Sequence, residues 1–182
     1  MLSPRERDFL LDLAWETIRR TVAGGPVPEP TVESAALLAP AAAFVSLHLG
    51  KHLRGCIGSV EARKPLWRTV REMAVAAAIE DPRFDPLTPQ ELDRLHVEIS
   101  VLTPPAPVVA PEEILVGRDG LIVRDHGRSG VLLPQVATEW RWDREEFLRQ
   151  TCRKAGLEPD AWQRDAKVFC FAAEVFARPA HR

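Results

Sequence analysis

The sequence predicts an α+β protein built on a mixed, largely antiparallel β-sheet flanked by helices. Segments of helical periodicity and segments of strand alternation follow one another in mixed order along the 182 residues. Two pairs of extended segments are joined by short glycine-containing turns, the arrangement that makes antiparallel hairpins. A proline-rich stretch, TPPAPVVAPEE over 103–113, is the best internal boundary. With 46% hydrophobic and 27% charged residues, the chain can bury a core of its own. The expectation is one domain over 1–182, with a lobe boundary near 103–113.

The elements can be justified in order. Leu10, Leu13, Ala14, Thr17, Ile18 and Val22 share one helical face, opened at Ser3-Pro4 and stopped at Gly24-Gly25. AAAFVSLHLGKHLRGCIGSV reads as two strands meeting at Gly50-Lys51, where glycine suits the first central position of a type II′ turn. Lys64-Pro65 opens a helix with Leu66, Val70, Met73, Ala74 and Ala77 on one side, closed by Asp81-Pro82. Thr88-Pro89-Gln90-Glu91 matches a capping box for a one-turn helix to about Leu95. In LHVEISVL, Leu95, Val97, Ile99 and Val101 share one strand face, and His96, Glu98 and Ser100 the other. A second hairpin turns near Gly127 to Gly130. Asp143 and Glu146 begin a helix carrying Phe147, Leu148, Thr151, Cys152 and Ala155 to a stop at Gly156. KVFCFAAEVF, apolar on both faces, is a central strand.

Composition excludes several functions. A formal charge of -2 provides no general attraction for phosphate backbones, so nucleic acid is not the expected partner. The N-terminal segment is amphipathic and has no long apolar run, which argues against a signal peptide or membrane span and for a cytoplasmic protein. Three cysteines, at 56, 152 and 170, are odd in number and far apart, which suits a reducing compartment; the absence of a CxxC pair argues against a structural zinc site. GxGxxG, GxxxxGK[ST], GxSxG and HExxH are absent, and no cofactor is assigned. The tryptophans at 15, 67, 140, 142 and 162 read as core or interface.

The segment HLRGCIGSV carries the chemistry. With a two-residue turn and regular pairing, Leu47 faces Arg54 and Val45 faces Cys56, so that Arg54 and Cys56 are neighbours on one face. A guanidinium beside a thiol favours the thiolate, and Gly55 and Gly58 leave room for a ligand to approach. The competing reading is that Cys56 is a small buried residue and that the glycines mark a bulge or tight packing. His48, His52 and Cys56 do not form a metal site in this hairpin, because His48 falls on the face opposite the other two. Arg83 pairs with Asp81 or Asp85 on a loop surface, or holds an anion. Glu98 and Ser100 are either a solvated strand face or an acid/base and hydrogen-bonding pair. Gln135 follows Pro134 at a helix start that satisfies local backbone or receives an anion. Cys152 and Cys170 read as core.

LRGCIGSV, together with DPRF, VEISVLTPP, GLIV, GVLLPQVA and WDREEFLRQTCRKAGL, resembles the AMMECR domain, whose prokaryotic members are called AmmeMemoRadiSam system protein A. The resemblance runs from about Phe9 to Phe176. It implies an α+β fold in two lobes with a cleft between them, no established reaction, and association with a Memo-type protein and a radical S-adenosylmethionine enzyme. Two readings follow. One is a cleft enzyme acting on a small molecule or modified residue, with Cys56 as nucleophile or thiolate ligand, Glu98 as acid/base, and Arg54, Gly55, Gly58, Arg83, Ser100 and Gln135 binding substrate. The other is a non-catalytic adaptor or substrate-presenting subunit for those two partners, marked by an inert thiol and an exposed apolar patch at Trp140 and Trp142.

Overall fold

The computed structural model describes residues 1–178. The order is α1 (Pro4–Val22), α2 (Ala35–Leu38), β1 (Ala42–Leu49), β2 (His52–Ser59), α3 (Leu66–Ile79), β3 (Leu95–Leu102), β4 (Ala106–Pro107), β5 (Asp119–Asp125), β6 (Arg128–Leu132), α4 (Pro134–Glu139), α5 (Arg144–Lys154) and β7 (Lys167–Arg178), with 3-10 turns at Pro89–Arg94, Pro111–Glu113 and Ala161–Gln163. It is the α+β protein that the mixed order of elements predicts. The pairings β1–β2, β4–β7, β5–β6 and β5–β7 are all antiparallel. The chain forms two compact units, Met1–Val101 with the chain from Glu174 onward, and Leu102–Ala173. The prolines of 103–113 therefore lie inside the second unit.

In the first unit, α1 starts where Ser3 caps it. The Ser3 hydroxyl accepts from the Glu6 N–H, Glu6 answers with a carboxylate on the Ser3 N–H, and Pro4 occupies the first helical position. Leu10, Leu13, Ala14, Thr17 and Ile18 are buried, as their spacing predicts, and Leu11 and Trp15 widen the buried face. α1 packs on α3, and α3 packs on β1 and β2. Val45 and Leu47 of β1, Val97 and Ile99 of β3, and Val70, Ala74 and Ala77 of α3 close one apolar core. Gly50 has a φ of 62° at the β1–β2 turn, in keeping with the type II′ geometry.

The register of this hairpin differs from the regular one. His48 pairs with Leu53 and Leu47 with Gly55, which leaves Arg54 as the extra residue of a bulge; beyond it Ser46, not Val45, faces Cys56. Contact with α3 explains the residue choice at this point. A Cβ on Gly55 would lie 2.2 Å from the Ala77 carbonyl oxygen, so only glycine lets the helix lie this close to the strand.

In the second unit, β5 and β6 turn at His126 and Gly127, both at positive φ, 44° and 79°, the signature of a type I′ turn. The turn thus stops short of Gly130, which lies within β6 against α5. Asp143 caps α5 through the Glu146 N–H, and Gly156 ends it at a φ of 70°. Leu121, Phe147, Leu148 and Ile114 form the core of this unit with partly buried Val168 and Cys170, and Val123 packs with Cys152 and Ala166. Cys152 is fully buried, so it and Cys170 are both packed into apolar clusters.

A Cβ on Gly130 would lie 2.4 Å from the Ala155 nitrogen and 2.6 Å from the Thr151 oxygen, both backbone. Gly130→Ala must push α5 away from the hairpin and is expected to lower stability by about 1–3 kcal/mol in urea unfolding. Unchanged stability would show that α5 does not rest on β6 at this point.

Candidate functional site

The candidate site is built on β2, the terminal strand in the pairing order, whose outer edge has no neighbouring strand. An edge strand presents N–H and C=O groups that need partners. At Cys56 the partners come from the segment after α3. The Cys56 N–H donates to Asp81 Oδ2 at 2.8 Å, and Arg83 Nη2 donates to the Cys56 carbonyl at 3.1 Å. Both main-chain groups of Cys56 therefore face outward, so Ser46 and Cys56 form a non-hydrogen-bonded pair, in which facing side chains come closest. The Ser46 hydroxyl accordingly donates to Cys56 Sγ at 3.1 Å.

Asp81 and Arg83 are fastened to each other. Arg83 Nε and Nη2 meet the two carboxylate oxygens at 2.9 and 2.7 Å, and the Arg83 main-chain N–H adds a third bond at 3.1 Å. The Asp81 side chain is 2% exposed and that of Arg83 52%. A buried carboxylate needs this degree of satisfaction to remain ionised. The Arg83 guanidinium, with the main-chain donors of Cys56 and Arg83, holds the Asp81 carboxyl well below the usual carboxylate range despite its burial.

Arg54, which regular pairing sets beside the thiol, is turned elsewhere by the bulge. Its Nε and Nη2 reach the Glu91 carboxylate at 2.7 and 3.1 Å, and it also donates to the carbonyls of Asp85 at 2.8 Å and Pro86 at 3.3 Å. Glu91 accepts from the Thr88 N–H and hydroxyl as well, so the capping box also anchors Arg54. The Arg54 hydrogen bonds push the Glu91 carboxyl down to about 2, against the effect of burial. Phe84 lies beneath both guanidinium groups, with Arg83 Cζ 5.4 Å and Arg54 Cζ 6.0 Å from its ring centre. The segment 81–87 is thus fastened along β2 by two arginines and one buried carboxylate.

The thiol follows from this setting. Burial pushes the Cys56 thiol up from its ordinary value. The Ser46 hydrogen bond and the charge of Arg83 oppose the rise, while Asp81 and Glu98 add to it. At neutral pH Cys56 is therefore a neutral thiol, and the cation near it is Arg83, not Arg54. The space beside the glycines is filled by protein: the Ala77 carbonyl at Gly55, and the Phe44 ring at Gly58, where a Cβ would lie 2.1 Å from it.

Of the residues singled out in the sequence, Cys56 and Arg83 come together, and Glu98 is near enough for its charge to act on the thiol. Ser100 is buried on the same strand face as Glu98. Gln135 lies in the second unit on the six-residue helix α4. The bulge also corrects the histidines: His48 shares the side of Ser46 and Cys56, and His52 lies on the other. Among the described residues, no group of three or more His, Cys, Asp or Glu is placed to hold a metal, and no helix is long and apolar enough to cross a membrane. Ser46 and Glu91 are partners that sequence reading missed, and Asp81 entered it only as a surface partner for Arg83. In the second unit, Trp140 is 69% exposed and stacks on Trp142 with ring centres 6.2 Å apart.

A family model described as AMMECR1 matches residues 11–176. A protein of Thermococcus gammatolerans is 49% identical over 93% of this chain and 88% of its own length. Protein TK0174 of Thermococcus kodakarensis is 46% identical with the same coverage. The crystal structure of the uncharacterized protein PH0010 from Pyrococcus horikoshii is similar with a TM-score of 0.89 and 43% identity, covering 93% of this chain and 90% of that one.

Glu91 gives a pH test. Its carboxyl releases its proton more readily folded than unfolded, so the Arg54–Glu91 pair stabilises the fold fully above the ordinary value of 4.5 and loses that contribution as pH falls toward about 2. Acid titration followed by urea unfolding should show stability falling through this window, with a shallower fall in Glu91→Gln. Equal slopes in the two proteins would remove Arg54 from the account of Glu91.

Proposed function

This chain belongs to the AMMECR1 family, and we propose that it works as a non-catalytic binding subunit, a cytoplasmic adaptor or substrate-presenting partner for a Memo-type protein and a radical S-adenosylmethionine enzyme. One observation carries the reading: the groups of LRGCIG and DPRF that chemistry would need are engaged within the fold. Arg54 is held by Glu91 and two carbonyls, Arg83 by Asp81 and the Cys56 carbonyl, and the thiol is neutral. A nucleophile with a raised pKa is poorly suited to attack at pH 7.

The same arrangement supports a role in recognition. A strand edge fixed by an ion pair whose carboxylate is buried presents a constant shape to a partner, and preorganisation lowers the cost of binding. Exposed Trp140, stacked on half-buried Trp142, is the aromatic type found at interaction hot spots. The partners are those that the family resemblance implies.

The competing enzyme reading keeps two supports, the Ser46 hydroxyl on Sγ and the charge of Arg83 nearby. It needs these to outweigh burial at Cys56.

Iodoacetamide alkylation against pH, followed by peptide mass spectrometry, decides between the readings. Cys56 should react no faster at pH 7 than Cys170, with its rate rising about tenfold per pH unit up to pH 9, as for a thiol with less than about 1% thiolate at neutral pH. Purified Memo-type and radical S-adenosylmethionine proteins from the same organism should form a complex with this chain in sedimentation velocity. Trp140→Ala should weaken the complex about tenfold, and Cys56→Ser should leave it intact. Rapid alkylation below pH 7 that Arg83→Ala slows would overturn the proposal in favour of the enzyme.

A further inference from the structure

Most basic side chains near a carboxylate in this protein are paired with it: Arg7 with Glu174, Arg20 with Glu16, Lys64 with Glu72, Arg118 with Asp119 and Arg149 with Glu145. The outer end of the second unit's hairpin departs from that habit. Arg124 of β5 stands directly opposite Lys167 of β7 on one side and Ser129 of β6 on the other. Residues opposed in this way share a face with Cβ atoms about 5 Å apart, and two like charges so placed repel.

Among the described residues Arg124, Arg128 and Lys167 form no ion pair with a carboxylate. Arg124 lies over the Phe169 ring at 5.4 Å, and Arg128 donates to the Gly156 carbonyl at 2.7 Å. Two acids line the same recess. Asp125 is hydrogen-bonded to His126 at 2.6 Å and stands opposite Arg128, so with Asp165 two carboxylates face three cations in the recess. The recess encloses about 320 Å³ and is lined by all of these groups with Ser129.

From this we infer that the recess between the β5–β6 turn and the start of β7 binds the phosphoryl group of a small molecule. A phosphoryl dianion accepts two bonds from a guanidinium fork, one from an ammonium and one from a hydroxyl, which Arg124, Lys167 and Ser129 offer side by side. It also relieves the repulsion between Arg124 and Lys167, which face each other across the strands. The volume is at the small end of ligand sites, enough for a phosphoryl group with a short substituent. A polynucleotide would require a longer basic stripe than a chain of net charge -2 presents here. The site lies within the second unit and is independent of the adaptor reading.

The test is a ¹H–¹⁵N NMR titration with inorganic phosphate at constant ionic strength, then with glycerol 3-phosphate. In the wild type, shifts should gather at 124–129 and 165–167 and saturate on the order of millimolar. Arg124→Gln/Lys167→Gln should bind at least tenfold more weakly while keeping its urea midpoint at or above that of the wild type, because a repulsion has been removed. Arg63→Gln, at an arginine paired with Glu61, should titrate as the wild type does. Tighter binding of the monoester identifies an esterified phosphate as the ligand, and equal binding a free phosphate. Shifts that sodium chloride reproduces, an unchanged titration in the double variant, or a lowered urea midpoint in it would overturn the proposal.

Discussion

The first unit depends on one contact, the Asp81–Arg83 pair closed onto the main chain of Cys56. β2 ends the strand order, and at its centre a residue would otherwise present an N–H and a C=O with no strand beside them. Asp81 supplies the acceptor and Arg83 the donor, so a carboxylate and a guanidinium take the place of a neighbouring strand. The pair is stable because each partner also binds the other, and because the carboxylate is buried where an uncompensated charge would be costly. Three features follow. The segment after α3 lies along β2, the thiol of Cys56 is directed at Ser46, and the burial that accompanies this packing keeps the thiol protonated.

What the sequence made legible was mainly local. The helix start at Ser3-Pro4, the turn at Gly50-Lys51, the close of α3 at Asp81, the capping box at Thr88 and Glu91 and the cap at Asp143 depend on residues a few positions apart, and their patterns are visible in the chain. A bulge was one reading of the glycines, but its place at Arg54 was not legible, because it depends on two distant partners. Ala77 of α3 occupies the space above Gly55, and Glu91 draws the guanidinium away. A shift of one residue then exchanges the faces of a strand. Val45 gives way to Ser46 opposite the cysteine, and His48 changes sides. The partnership of Asp81 with the Cys56 amide is likewise tertiary; the DPRF segment named its two members but not the strand they would complete.

The identity of the small residues carries a related lesson. Glycines at 55 and 58 admit two readings along the chain, room for a ligand or tight packing, and the fold takes the second, filling each gap with its own atoms, a helix carbonyl and a phenyl ring. The segment is thus more rigid and less accessible than its composition implies. This is why the adaptor reading gains on the enzyme reading: the motif's polar groups build a surface rather than wait for a reactant. The second unit shows the opposite pattern at its hairpin end, where charges that could have been paired are left facing one another.

Amide hydrogen exchange at Cys56 tests the central claim most directly. If the Asp81 carboxylate holds that N–H as a strand would, the amide exchanges only through the opening that exposes the β1–β2 core, at a rate comparable to the buried amides of β1, and Asp81→Asn speeds it by at least about tenfold. An amide that exchanges in the wild type as fast as the exposed residues of β2 would show that the pair does not close the edge, and the account of the motif as a structural clamp would be wrong.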